Sequence, residues 1–184
     1  INIHGAKSMR ACACNMPNSI SVLAFSTDGG MLNAPDVYMD KIAVGAGLPD
    51  GIVDLDNKPL VNIKNVAKAK KCDISEIMVS VLNRPRHEEL IAKIRESGAR
   101  LQLIGDGDVT AVMSKSMDST DVDIYMGMGG APEGVLGAAA LRCIGGQIQG
   151  RLIFRNDDEK KRAAKIGIKD LNKKYTSEEM ASGD

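Results

Sequence analysis

Apolar positions along the chain follow two rhythms, short unbroken runs and a repeat of three to four residues, and their alternation predicts strands interleaved with helices. The first run, 20–25, ends at Ser26-Thr27-Asp28-Gly29-Gly30 and reads as a strand entering a tight turn. A partner strand is expected next, and Val37, Met39, Ile42 and Val44 supply one, closed by the loop 45–51. Pro59 opens a helical pattern with Leu60, Ile63, Val66 and Ala67 on one face, and Lys70-Lys71 fall at its electronegative end. The order then repeats. A strand over 77–82 precedes a helix over 85–97, with Leu90, Ile91 and Ile94 inward and Gly98 as its stop. A strand over 100–104, a helix over 109–117, a strand over 123–128 and a helix over 132–143 follow, the last ended by Gly145-Gly146 before a strand over 147–154. Strands and helices alternating at these spacings predict an α/β layer whose neighbouring strands are mostly parallel. From 156 to 174 acidic and basic residues mix on all sides, which reads as a solvated helix and loop.

The 184 residues suit one domain, and an apolar share of 43% is enough to fill its core. Net charge is zero and no dense basic run occurs, so the sequence offers no electrostatic footprint for nucleic acid. Gly, Arg or Asp interrupts every apolar stretch well short of a membrane span, and no secretory signal precedes the first strand. Cys12, Cys14, Cys72 and Cys143 form no framework, so a reduced compartment, cytoplasmic or stromal, is expected. Cys12-x-Cys14 lacks the second pair that a four-ligand zinc site requires, and Cys143, on an apolar helix face, is read as core. The chain opens at Ile1 rather than Met, which suggests a fragment or an incomplete gene model.

Ligands of α/β layers bind at the carboxyl ends of strands. Three polar clusters fall there: Arg84-Pro85-Arg86-His87, Gly105-Asp106-Gly107-Asp108, and the turn from Gly129 to Gly134. The last lies within Tyr125-Met126-Gly127-Met128-Gly129-Gly130-Ala131-Pro132-Glu133-Gly134-Val135, an apolar strand running through a glycine turn into a helix. Glycines allow close approach of an anion, the helix start supplies unpaired N–H groups, and Pro132 fits the first turn. Glu133 would repel a phosphate held there unless a cation lay between them, so the pair suggests a divalent metal; an acidic first turn of a capped helix is the plainer reading. Arg84 and Arg86 flank a proline that fixes the turn, and both guanidinium groups could fork onto a phosphate. Asp106 and Asp108 straddle Gly107 at a spacing that suits a metal or a pair of sugar hydroxyls, with an N-cap role open for Asp108. His87, a lone histidine in a first helical turn, is read as a surface or capping residue.

Asn33-Ala34-Pro35-Asp36-Val37-Tyr38-Met39-Asp40-Lys41, Arg84-Pro85-Arg86-His87, Asp106-Gly107-Asp108-Val109 and Gly129-Gly130-Ala131-Pro132-Glu133-Gly134-Val135 occur in the order and near the spacing of the class II fructose-1,6-bisphosphatases. The chain resembles that family from about Ser19 to Ala181-Ser182-Gly183, most closely the cyanobacterial type that also hydrolyses sedoheptulose-1,7-bisphosphate. The resemblance implies an α/β fold, the layered helix-sheet sandwich of the metal-dependent, lithium-sensitive sugar phosphatases, here largely its C-terminal part. It implies a segment 1–18 that diverges, a sugar-phosphate-binding domain over 19–155, and a charged, truncated segment over 156–184. Tyr38, Arg84, Pro85, Arg86, Asp106, Gly107, Asp108 and Gly130 match substrate-contacting positions, and Glu133 matches a metal ligand. The implied cofactor is Mn2+ or Mg2+, which would polarise phosphoryl oxygens and lower the pKa of an attacking water. The arginines would hold the distal phosphate and the aspartates the sugar hydroxyls.

The implied setting is gluconeogenesis or the Calvin cycle, in the cytoplasm or a plastid stroma, with a sugar bisphosphate as partner and homo-oligomerisation open. One departure bears on activity. Where the family carries Asp-Pro-x-Glu-Gly-Thr, this chain has His4-Gly5-Ala6-Lys7-Ser8-Met9, with Lys7 in place of a carboxylate. Glu133 alone cannot hold a catalytic hard cation. The chain by itself is therefore expected to be inactive, and a relative that binds sugar phosphates without hydrolysing them is the alternative. A nucleotide-binding module finds less support, since Gly127-x-Gly129 is an incomplete dinucleotide pattern and no P-loop lysine is present.

Overall fold

The computed structural model describes residues 2–7, by their backbone, together with 21–105 and 122–183. The helix expected over 109–117 lies outside these residues. The strands are β1 (Asn2–Lys7), β2 (Ser21–Ser26), β3 (Tyr38–Val44), β4 (Met78–Leu82), β5 (Arg100–Ile104), β6 (Ile124–Gly130), β7 (Gln147–Ile153) and β8 (Lys174–Tyr175), of which β1 and β8 are marked by no apolar run. The helices are α1 (Pro59–Lys70), α2 (Glu88–Glu96), α3 (Ala131–Ile144), α4 (Asp157–Lys165) and α5 (Ser177–Met180). The helix expected from 85 begins instead as a 3₁₀ turn, Pro85–His87, and Gly98 stops α2 in a left-handed conformation (φ 81°).

A six-stranded sheet has the order β5-β4-β6-β3-β7-β8, and β1 pairs with β2 in a separate two-stranded sheet. The large sheet is mixed. Strand β4 runs parallel to β5 and β6, whereas β3 is antiparallel to both β6 and β7, and β7 is antiparallel to β8. The expectation of mostly parallel strands is corrected here. A strand buried on both faces carries the same apolar run in either direction, so only its neighbour sets its sense. The expected pairing of 20–25 with the strand after it is corrected for the same reason: β2 pairs with β1, from Asn2↔Ser26 to Lys7↔Ser21, and β3 joins the other sheet.

Alternation along β3 divides the core. Ile42 and Val44 face a cluster with Ile63, Val66, Ile91, Ile94, Ile124 and Met126, which packs α1 and α2 on one side of the sheet. Met39 and Ala43 face the other side with Tyr125, Ala138, Leu141 and Ile148, under α3. Full burial of each such aliphatic side chain contributes about 1.5–3 kcal/mol. Helix α3 lies close to the sheet because its residues there are small: a Cβ at Gly134 would come within 2.5 Å of Met39 Sδ. Strands β1 and β2 contact α3 in turn, so the layers run α1 and α2, large sheet, α3, small sheet.

Two smaller expectations change. Cys143 is exposed. In a helix apolar on nearly every side the inward face cannot be read from periodicity, and Leu141, at 0% exposure, holds it while Cys143 points about 200° away. The charged stretch after 156 is not wholly solvated: Ala163 and Glu159 of α4 are buried, and β8 adds the last strand of the large sheet. Glu159 pairs with Arg155, and Lys174 pairs with Asp54 and Asp56 of the domain, which lets the segment lie against it.

Candidate functional site

Strands β4 and β6 are parallel neighbours whose chains leave to opposite faces of the sheet. After β4 the turn at Arg84 to His87 leads to α2, and after β6 the chain passes directly into α3. That divergence opens a crevice at the two carboxyl ends, the usual ligand position in such sheets. The ladder between the strands covers only Val79↔Ile124 and Ser80↔Tyr125. Beyond it, side chains take the place of strand pairing. Met128 N–H donates to His87 Nε2 (2.8 Å), and Met128 O accepts from Arg86 Nε (3.1 Å) and Nη2 (2.8 Å).

His87 is thus not the surface residue expected. It is 3% exposed, and its other ring nitrogen, Nδ1, faces Leu82 O at 2.8 Å. A carbonyl at Nδ1 and an N–H at Nε2 require the neutral tautomer protonated at Nδ1. Burial holds its pKa below the ordinary histidine value. Both nitrogens are engaged, so His87 clamps the crevice and has no lone pair left for acid–base chemistry. Gly127 adopts φ 144° beside the ring, and a Cβ there would lie 3.2 Å from Nε2.

Tyr38 begins β3 directly opposite Gly130, the last residue of β6. Arg86 lies over the Tyr38 ring, 4.9 Å from its centroid. Arg155 lies over the same ring at 5.1 Å. Arg155 escaped the sequence reading, and no local signal marks it. It reaches the site because β7 ends at Ile153 against Tyr38, and Glu159 Oε1 accepts from its Nε at 2.8 Å. Arg84 Nη1 donates to Asn83 O (3.0 Å), so the two arginines of the turn hold separate carbonyls. Pro85 occupies the first position of the 3₁₀ turn between them. Asp106, Gly107 and Asp108 lie outside the described residues.

The glycine turn is more fully bonded than expected. Ala131 N–H donates to Val37 O (2.9 Å), and Lys41 Nζ donates to Gly130 O (3.1 Å). Pro132 has no N–H, which leaves Glu133 to offer the first-turn donor. One donor is less than the cradle anticipated from the glycines. The Glu133 carboxylate folds back over Gly130: a Cβ on that residue would lie 1.9 Å from Glu133 Oε2. Lys41, 2% exposed, was also missed, since a lysine inside an apolar strand pattern reads as an outward polar position.

Beside Arg86, a pocket of about 250 Å³ opens on the α1 and α2 side, lined among others by Asp40, Asn62, His87, Met126 and Met128. Burial raises the pKa of Asp40. Among the described residues no three His, Cys, Asp or Glu side chains gather as a metal site would need. Glu133 by itself does not fit a hard divalent cation, which takes six or more oxygens.

An α/β sandwich with a polar crevice at a switch point between parallel strands, holding Tyr38, Arg86, Gly130 and Glu133 together, is the architecture of a small-ligand-binding α/β protein. A family model described as bacterial fructose-1,6-bisphosphatase, glpX-encoded, matches residues 1–184, and the chain belongs to that family. It is 42% identical over 178 residues to the D-fructose 1,6-bisphosphatase class 2/sedoheptulose 1,7-bisphosphatase of Trichodesmium erythraeum, covering 90% of this chain and 51% of the relative. The protein of the same name from Synechococcus elongatus is 40% identical over 195 residues, covering 100% and 56%. A third, from a Synechococcus strain, is 44% identical over 177 residues, covering 90% and 51%. The chain spans about half the length of these curated relatives. Among the described residues no helix is long and apolar enough to cross a membrane.

Proposed function

We propose that this chain carries the sugar-phosphate-holding part of a bisphosphatase that hydrolyses fructose-1,6-bisphosphate to fructose-6-phosphate and phosphate, with sedoheptulose-1,7-bisphosphate as a second substrate. Family membership supports the reaction class. The observation that carries the local assignment is the convergence of Tyr38, Arg86, Gly130 and Glu133 at one crevice. Arg86 spends two donors on Met128 O, which orients the guanidinium and leaves its remaining N–H groups for a phosphate oxygen. Stacking on Tyr38 restricts it further, so little side-chain freedom is lost on binding. Arg155, on the same ring, adds a second positive charge. Arg84, Pro85, Asp106, Gly107 and Asp108 complete the proposed substrate contacts by resemblance. Mn2+ or Mg2+ remains the cofactor proposed for the whole enzyme; with Glu133 as the one family metal ligand among the described residues, no hydrolytic step is assigned to this chain.

The purified chain is expected to bind fructose-1,6-bisphosphate by isothermal titration calorimetry and to release no phosphate from it with Mn2+ present. Manganese-dependent phosphate release would overturn the inactivity. Absence of binding, with the fold intact by circular dichroism, would overturn the sugar-phosphate assignment. The second reading, a relative that binds without hydrolysing, is favoured by the absence, among the described residues, of three His, Cys, Asp or Glu side chains gathered as a metal site would need, and predicts affinity independent of added Mn2+.

A further inference from the structure

Arg86 and Arg155 are held alike. Each spends the Nε and Nη2 edge of its guanidinium on one fixed acceptor, Met128 O for Arg86 and Glu159 Oε1 for Arg155, and each lies over the Tyr38 ring. Both guanidinium carbons stand within 5.1 Å of one centroid, so two like charges sit within about a Debye length of each other and repel. Among the described residues neither Nη1 has an acceptor, and Asp36 acts on Arg155 only through space. The acceptor on Arg155 is itself costly. The Glu159 side chain is 2% exposed and that of Arg155 58%. A carboxylate taken out of water loses more than so exposed a partner returns, so this pair contributes little to stability. Glu159 nevertheless commits both oxygens to Arg155: Oε2 accepts its backbone N–H at 2.7 Å, and Oε1 accepts its Nε at 2.8 Å and its Nη2. Asn156 Oδ1 in turn accepts from Glu159 N–H at 2.9 Å as the cap of α4. What these bonds secure is one orientation of the guanidinium.

We propose that Arg155 contacts the distal phosphate of the sugar bisphosphate directly, as the partner of Arg86, and that Glu159 is its positioning residue. The inference rests on the function proposed above and deepens it with two residues that no motif marks. A phosphate monoester near neutral pH carries close to two negative charges and three acceptor oxygens. That matches two guanidinium groups with their Nη1 edges open, and the anion between them cancels their repulsion. The strand order β4-β6-β3-β7 brings Arg86 to Tyr38 from the β4 side and Arg155 from the β7 side. Tyr38 is fixed between them by its pairing with Gly130 on one side and Ile153 on the other. The charged segment after 156 thereby joins the site, because the first turn of α4 sets the second arm of the grip. The competing role is structural, in which Arg155 and Glu159 cap the Tyr38 ring and touch no ligand.

The test is isothermal titration calorimetry of the purified 184-residue chain with two probes, fructose-1,6-bisphosphate and inorganic phosphate. Arg155→Gln is expected to weaken both at least about 10-fold, and Arg155→Lys to recover part of that loss. Glu159→Gln keeps the shape and one acceptor but removes the charge. It is expected to weaken binding about 3- to 10-fold in wild type and less than about 2-fold in the Arg155→Gln background. That coupling is what action through Arg155 requires, and a ring cap would not produce it. Circular dichroism checks the fold, and the exposed Arg155 keeps its variants decisive even where Glu159→Gln unfolds. Wild-type affinity of Arg155→Gln for both probes would overturn the proposal, and equal losses from Glu159→Gln in both backgrounds would overturn the positioning role. The probes also separate the two readings. Fructose-1,6-bisphosphate bound without regard to Arg155 sinks this inference alone. Inorganic phosphate bound through Arg155, with no affinity for the sugar bisphosphate, sinks the substrate assignment alone, and a folded wild type that binds neither probe sinks both.

Discussion

His87 Nε2 accepts a 2.8 Å hydrogen bond from Met128 N–H, and through it the turn after β4 is tied to the last residues of β6. The strands have parted by that point, so a side chain provides what the next rung of the ladder would have provided. Removing it leaves buried backbone groups at Leu82 and Met128 without partners, each costing about 1–3 kcal/mol. His87→Ala is expected to destabilise the chain by about 3–4 kcal/mol once the cavity is included, measured by urea denaturation. A loss under about 1 kcal/mol would show that the clamp contributes little.

The same bond gives a pH dependence with a definite sign. Burial lowers the folded-state pKa of His87 below the ordinary histidine value. The unfolded chain therefore takes up a proton that the folded chain refuses. The stabilisation is complete above the ordinary histidine range and is lost as pH falls through it toward the depressed folded value. Wild type should lose more stability than His87→Gln between about pH 8 and about pH 5.5. Equal losses would place the pH sensitivity elsewhere.

Gly130→Ala should disturb the crevice without disturbing the sheet. The backbone at Gly130 is extended (φ −62°, ψ 143°) and open to any residue, but the new Cβ would lie 1.9 Å from Glu133 Oε2. Glu133 must swing away, and the cost is a rotamer change in a flexible side chain. A melting temperature within about 3 °C of wild type is expected, together with weaker fructose-1,6-bisphosphate binding by calorimetry. Unchanged binding would detach the Glu133 position from ligand affinity.

Arg86→Lys keeps the charge and loses the fork. Lysine cannot donate twice to Met128 O while presenting further N–H groups outward. Sugar bisphosphate affinity is expected to fall about 10- to 100-fold, equivalent to about 1.4–2.8 kcal/mol. Full retention would mean that charge alone suffices at this position.

Lys41→Met tests a buried cation. The ammonium donates to Gly130 O at 3.1 Å from a side chain 2% exposed. Methionine matches its length and apolar stem but leaves that carbonyl without its donor, so a loss of about 1–3 kcal/mol in denaturation is expected. A stabilised variant would show that desolvating the ammonium outweighs its bonds.

How much could be read in advance differs from residue to residue. Helix α1 was legible to its ends, because Pro59 can start a helix and the Lys70-Lys71 pair suits its close, where Lys71 turns left-handed (φ 56°). The positions of Tyr38, Arg86, Gly130 and Glu133 were legible as motifs, and Arg86, Tyr38 and Gly130 meet at the β4 and β6 ends. His87 was misread, since a histidine's burial depends on what surrounds it and both of its partners, Leu82 and Met128, are backbone groups that any residue would supply. Arg155 was invisible: 117 positions separate it from Tyr38, and only the β3 and β7 register brings it there.

Local rules acting over a few residues therefore decided most of the strands and helices between 20 and 154, whereas β1, β8 and α5, which no apolar run marks, were not legible. Apolar period, proline and glycine act within one turn of chain, so the information is written beside its effect. The sense of β3 and β7, the separation of β1 and β2 into their own sheet, the parting of β4 from β6, and the seating of Lys41 and His87 as buried partners were decided by tertiary structure. An apolar strand face packs equally well in several places, and only the closing of all the layers at once selects one of them.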